Sequence, residues 1–275
     1  MRIDFTKMHG TGNDFIVFDA PGGSVPPADL LRRLADRHTG IGFDQALMLQ
    51  PPRHAESVVY YRIFNADGGE VEQCGNGARC IAALLFRRGR GPGGRMTLES
   101  AAGCIEARRL DDGAVSVDMG VPRFQPRDVP FDAREPAGTY SLDVAGETLE
   151  IGVVAVGNPH AVINVGDIEA APVGRLGPAI ESHPRFPRRA NAGFVQFIDR
   201  SHILLRVHER GVGETLACGT GACAAVAVGR RRGALDSSVH VRVRGGELRV
   251  NWDGPGAHIW LTGPAEVSFE GHVEV

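Results

Sequence analysis

The chain has 275 residues, 43% of them apolar, and a formal net charge of -3. That length suits two hydrophobic cores better than one, and the lack of any block of like charges removes the usual electrostatic case for nucleic acid or a membrane surface. Partners are therefore expected to be small molecules or protein.

One lysine, Lys7, stands against 29 arginines. A pyridoxal phosphate enzyme would have only that residue for its Schiff base, and no GK[ST] phosphate loop is present. The five cysteines are Cys74, Cys80, Cys104, Cys218 and Cys223. Their odd number, behind an N-terminus (MRIDFTKMHG) without a signal peptide's apolar centre, leads us to expect free thiols in a reducing, cytoplasmic compartment. No apolar run approaches membrane-spanning length.

In chain order, FIVFDA reads as a strand, 28–37 as a helix, SVVYYRIF as a strand and 77–87 as a helix. The arginine- and glycine-rich stretch 87–95 reads as an exposed loop. AVSVDMG is a further strand. The proline-rich segment 119–138 (MGVPRFQPRDVPFDAREPAG) is the best candidate for a domain crossing. Beyond it, IGVVAVG and HAVINVG read as strands, 170–182 as a helix, HILLRVHER as a strand, 222–231 as a helix, and VHVRVRGG and ELRVNW as strands. Strands outnumber helices without a regular βαβ alternation, which predicts an α+β chain built on mixed sheets.

The motifs repeat at a nearly constant offset. Cys218 lies 144 positions beyond Cys74, Glu209 lies 144 beyond Asn65, and Asn158 lies 145 beyond Asn13. Two similar halves follow, each placing one cysteine at one helix start. The first amides of a helix lack internal acceptors and carry the positive end of its dipole, so they bind anions and stabilise a thiolate. Two such cysteines facing one substrate carboxylate could remove an α-proton from one side and return one from the other, inverting a stereocentre. Cys80, Cys104 and Cys223 are read as structural, since free cysteines are commonly buried. Each asparagine taken alone would more often cap a turn than bind a ligand. His9, His38 and His208 receive no role, and no metal-ligand spacing is present.

The segments KMHGTGNDF, RHTGIGFDQ, FNADGGEVEQCGNGARC, GNPH, ESHPRFPRRANAGFVQ, HERGVGETLACGTGACAA and TGPAEV together resemble the diaminopimelate epimerase family. The resemblance covers most of the chain. It implies two pseudo-symmetric domains, each a curved mixed β-sheet wrapped around a central helix, with the active site between them. On that layout one half runs 1–119, carries Cys74 and is completed by 264–275; the other runs 120–263 and carries Cys218. The implied activity is cofactor-independent interconversion of LL- and meso-2,6-diaminopimelate, an isomerase reaction of lysine and peptidoglycan precursor biosynthesis, in a homodimer.

Cys74 and Cys218 match the family's two acid-base residues. Asn13, Gln45, Asn65, Gly75, Asn76, Asn158, Asn191, Glu209, Arg210, Gly219 and Thr220 match its substrate-contacting set, with His160 and Glu209 adjusting thiol protonation. Thr220 stands where many relatives carry serine, which keeps both the amide and a hydroxyl. Two alternatives stay open: a two-cysteine racemase of the proline or hydroxyproline type, and a thiol redox protein. Against the first, a substrate without a second amino-acid group leaves Asn65, Asn158, Asn191 and Arg210 unexplained. Against the second, there is no CxxC motif.

Overall fold

Mostly apolar residues buried along β1 (Arg2–Gly10), β2 (Asn13–Asp19), β3 (Gln45–Gln50) and β4 (Ser57–Asn65) open the strands of the first unit. The computed structural model describes residues 2–20, 22–71 and 74–274. Between β2 and β3 lies α1 (Ala28–Ala35). After β4 come β5 (Glu70–Val71), α2 (Gly75–Arg87), β6 (Arg95–Ser100), β7 (Gly103–Arg109) and β8 (Val115–Asp118).

The second set follows the same plan. A leading strand β9 (Tyr140–Val144) is followed by β10 (Glu147–Ala155), β11 (Pro159–Asn164), α3 (Val173–Glu181), β12 (Asn191–Phe197), β13 (His202–Glu209) and β14 (Gly213–Thr215). Then come α4 (Gly219–Arg231), β15 (Ser238–Val243), β16 (Gly246–Trp252), β17 (Ile259–Gly263) and β18 (Glu266–Glu274).

The chain divides into two compact units, Met1–Val117 with Thr262–Val275, and Asp118–Leu261. In the first, β18 pairs with β1 and the order continues β1, β2, β3, β4, β6, β7, β8, with β5 folded back on β4. Among the described pairs, β2–β3 and β4–β6 are parallel and the others antiparallel. In the second the order is β9, β10, β11, β12, β13, β15, β16, with β14 folded back on β13. Among the described pairs there, β11–β12 and β13–β15 are parallel and the others antiparallel. The two units thus share one strand plan, the structural counterpart of the repeated motifs.

In each unit one helix is held by strands from across the sheet, α2 by β1, β2, β6, β7 and β18, and α4 by β10 to β13 and β16. Such a helix is apolar nearly all round, and ten residues of α4, Gly219 and Gly221–Gly229, are buried. Both helices begin earlier than the sequence suggests, at Gly75 and Gly219, because glycines read as helix breakers. Their third residues need to be small. A Cβ on Gly77 would lie 3.1 Å from Leu47 Cδ2, and one on Gly221 would lie 2.9 Å from Val207 Cγ2 and 3.3 Å from Cys218 Sγ.

The chain passes from the first unit to the second at Val117 and Asp118, just ahead of the proline-rich segment. That segment packs into the second unit, where Val129 and Phe131 are buried with Tyr140 and Phe186. The stretch 87–95 is largely exposed, as expected. Cys80 and Cys223 are fully buried, but Cys104 is exposed at the start of β7 with its sulfur 3.9 Å from Ser57 Oγ. Its exposed position, one residue before the buried Ile105, overrides the tendency of cysteine to be buried. No helix among the described residues is long and apolar enough to cross a membrane.

Candidate active site

In the first unit the strand directions gather the polar residues. β2 and β3 are parallel and start at Asn13 and Gln45, while the antiparallel β4 ends at Asn65. All three side chains therefore fall on one sheet edge. Gly12, at φ 82°, makes the turn that delivers Asn13. Gln45 and Asn65 are register partners, and Gln45 Nε2 donates to Asn65 Oδ1 at 2.9 Å. Gln45 Oε1 is buried and has no hydrogen-bond partner among the described residues.

Cys74 caps α2 at the same edge. Its backbone is extended (φ -146°, ψ 112°), and its sulfur accepts from Gly77 N at 3.4 Å, the N-cap arrangement with sulfur in place of oxygen. Asn13 Oδ1 lies 3.8 Å from Sγ. Asn76 is buried on the first turn, and its Oδ1 accepts from Nη2 of the fully buried Arg79 at 2.7 Å. Gly75, Asn76 and Cys74 thus form one helix start beside Asn13, Gln45 and Asn65.

The second unit repeats the plan with different polar partners. Gly157, at φ 74°, delivers Asn158 ahead of β11, Asn191 opens β12, and Glu209 closes β13. Cys218 caps α4 (φ -124°, ψ 110°), with Thr220 Oγ1 at 3.5 Å from its sulfur. Burial, and then the Glu209 charge, push the Cys218 thiol well above its ordinary value. Glu209 is itself raised by burial, against hydrogen bonds to Thr215 and Cys218. Thr215 Oγ1 donates to Glu209 Oε1 at 2.6 Å.

His160 is buried, and its Nε2 sits 2.8 Å from Asn158 Oδ1. Burial, aided by the Arg210 charge, lowers it to about 3, so it is neutral at ordinary pH. A neutral ring that donates from Nε2 to Asn158 leaves Nδ1 as an acceptor, and that atom has no hydrogen-bond partner among the described residues. Asn191 is only 2% exposed; its Nδ2 donates to Pro159 O at 3.1 Å and its Oδ1 accepts from Arg210 N at 2.9 Å. It braces the turn that presents the exposed Arg210 guanidinium, whose Nη1 donates to Arg188 O at 3.0 Å.

The expected residues therefore form two clusters, one per unit. The structure adds residues that sequence reasoning missed. Asp44 holds Asn13, Thr215 holds Glu209, and Arg79 holds Asn76. His208, given no role above, bonds through Nε2 to the buried Glu181 at 2.9 Å, and Glu181 Oε1 accepts from Gly211 N beside Arg210. The readable signal for Arg79 was a charged residue inside an otherwise apolar helix. The others carried none.

Two units of one strand plan, each with a cysteine capping an enclosed helix, define a recognisable architecture. Solved structures share it: a hydroxyproline epimerase from Agrobacterium vitis (TM-score 0.69, 18% identity, 99% of this chain and 92% of that one) and a probable proline racemase from Agrobacterium radiobacter K84 (TM-score 0.69, 20% identity, 99% and 92%). At such identities the likeness is one of fold.

A family model described as diaminopimelate epimerase matches residues 5–125 and 152–268. Relatives named diaminopimelate epimerase include one from Laribacter hongkongensis, 54% identical over 99% of both chains, and one from Nitrosomonas europaea, 55% identical over the whole of both. The chain belongs to the diaminopimelate epimerase family.

Proposed function

We propose that the chain interconverts LL- and meso-2,6-diaminopimelate by exchanging the α-proton of one stereocentre with Cys74 and Cys218. Family membership carries this reading, because the matched residues take in both cysteine motifs. The reacting carboxylate is assigned to the first-turn amides of α2 and α4, at Gly75–Asn76 and Gly219–Thr220. Those N–H groups lack internal acceptors and sit at the positive helix ends.

In one direction the Cys218 thiolate takes the α-proton. The electron pair left on carbon delocalises into the carboxylate, and the Cys74 S–H bond breaks to protonate the opposite face, leaving Cys74 as thiolate. The reverse reaction exchanges the roles. Each preorganised donor on the carboxylate contributes about 3 kcal/mol by analogy with oxyanion-hole deletions. Glu209 is suited to the reacting ammonium, and a cation there offsets the charge that keeps Cys218 protonated.

Arg210 is assigned to the distal carboxylate as a bidentate clamp, and the Gln45 Oε1 acceptor to an ammonium. Asn13, Asn65, Asn158, Asn191 and the neutral His160 complete the polar lining. The chemistry needs both thiols reduced, which suits a cytoplasmic location. The mostly exposed β18, with Phe269 49% exposed, supports a homodimer through that strand, and analytical ultracentrifugation checks it. For the activity, the purified protein in deuterated water, with LL-diaminopimelate and nothing else added, should form α-deuterated meso product. Cys74→Ala and Cys218→Ala should each abolish epimerisation, and wild-type turnover by either variant would overturn the assignment.

A further inference from the structure

Asp44 has no place in the set of residues expected to touch substrate, yet its carboxylate is tied directly to that set. Oδ2 accepts from Asn13 Nδ2 at 2.9 Å and from Asp14 N at 3.1 Å, and Oδ1 accepts from Arg37 Nη2 at 2.8 Å. Asp44 N in turn donates to Asp14 Oδ1 at 3.0 Å. Arg37 bridges the two carboxylates, and Lys7 Nζ, only 2.5 Å from Asp14 Oδ2, also reaches Gly42 O. The chain's single lysine, nearly buried, thus helps hold the carboxylate pair in place.

An ionised carboxylate only accepts hydrogen bonds. The Asn13 face turned to Asp44 must therefore be its NH₂ group, which settles the orientation of the amide on chemical grounds. The carbonyl oxygen then points the other way, to within 3.8 Å of Cys74 Sγ. The second unit does the reverse. There Asn158 Oδ1 is the atom taken up, by His160 Nε2 at 2.8 Å, so the two repeated asparagines are held with opposite polarity.

We infer that Asp44 is a positioning residue for Cys74: by holding the amide nitrogen of Asn13 it presents an acceptor oxygen to the thiol and favours the protonated sulfur. The inference rests on the reading of Cys74 as an acid-base group. Other groups bear on the same sulfur. Gly77 N donates to it, Cys80 on α2 couples to both Cys74 and Arg79, and Tyr61 on β4 couples to it as well. Behind Asn13 stand Asp14, Arg37 and Lys7. A loss of the Asp44 charge could also act on the thiol directly through space, and the test has to separate the two routes.

The experiment follows the alkylation rate of Cys74 by iodoacetamide against pH in the full chain carrying Cys218→Ala, with peptide mapping to assign the modified thiol. Asp44→Asn should lower the midpoint by about 0.5–1 unit, the worth of one hydrogen bond to the neutral form. Asn13→Ala alone should lower it by a similar amount, which keeps the test decisive if the Asp44 variant folds poorly. Adding Asp44→Asn to Asn13→Ala should then move it no further, because the route has already been cut. An unchanged midpoint in Asn13→Ala, or an equal Asp44→Asn shift with and without Asn13, overturns the inference. The readout needs no substrate or turnover, so failure of the proposed epimerisation would be seen separately.

Discussion

The seat of α4 on its sheet gives the sharpest packing prediction. Gly152, in the middle of β10, lies against Val228 of α4; a Cβ there would collide with Val228 Cγ1 and approach Cγ2 to 3.0 Å. Ordinary carbon contacts are about 3.5–4.0 Å, so the Gly152→Ala variant must push the helix off the strand or force Val228 from its rotamer. Overpacking of this kind costs about 1–3 kcal/mol, which lowers Tm by about 2–4 °C for each kcal/mol in a protein of this size.

The Val228→Ala change alone removes two buried methyl groups, about 0.8 kcal/mol each before any cavity cost. If the two losses were independent, the double variant would be destabilised by about 3–5 kcal/mol. The geometry says otherwise, because the methyl added at 152 takes the space vacated at 228. The double variant should lose no more than about 1.5 kcal/mol, and its urea midpoint should lie above that of Gly152→Ala. Because α4 carries Cys218 at its start, Cys218 alkylation should slow or quicken in the single variant and recover in the double one. Additive losses across the four proteins would refute the idea that this one contact sets the helix height.

Other outcomes can be checked separately. Glu209→Gln should lower the alkylation midpoint of Cys218, since burial and then the Glu209 charge keep that thiol protonated; thiolate absorbance near 240 nm against pH measures it. Cys74→Ser should keep the cap of α2 and its stability while abolishing turnover, whereas Cys74→Ala should also lose about 0.5–2 kcal/mol of stability in urea melts. Burial lowers His160 from 6.5 to about 3, so below about pH 6.5 the unfolded chain binds a proton that the native chain refuses. Stability should therefore fall from pH 6.5 toward 3, and His160→Gln should flatten that part of the stability curve.

The duplication was legible because it resides in the backbone requirements. Positive φ at Gly12 and Gly157, and crowding at Gly77 and Gly221, leave glycine as the residue that fits, so the pattern survives in the sequence as a fixed offset. The same glycines blurred the helix starts, since local propensity argued against a helix that the surrounding sheet supports. The polar supports were not legible. Asp44, Thr215 and the Glu181–His208 pair act through distances set by the fold, and nothing in their neighbours' identities marks them.

Those supports are also where the two halves part company. The backbone plan and the capping cysteine are common to both, but Arg79 occupies the place that Cys223 takes on α4, each five residues after its capping cysteine. The amide turned toward Cys74 presents oxygen, while its counterpart Asn158 gives its oxygen to His160. Under the proposed reaction this divergence bears on where the shared proton rests. A proton leaves one face of the substrate carbon and arrives at the other, so at every moment one sulfur must hold a proton that the opposite sulfur lacks. Two ionised sulfurs flanking one carbon would repel, which already favours a single shared proton even with identical surroundings, and the unlike neighbours decide which sulfur holds it.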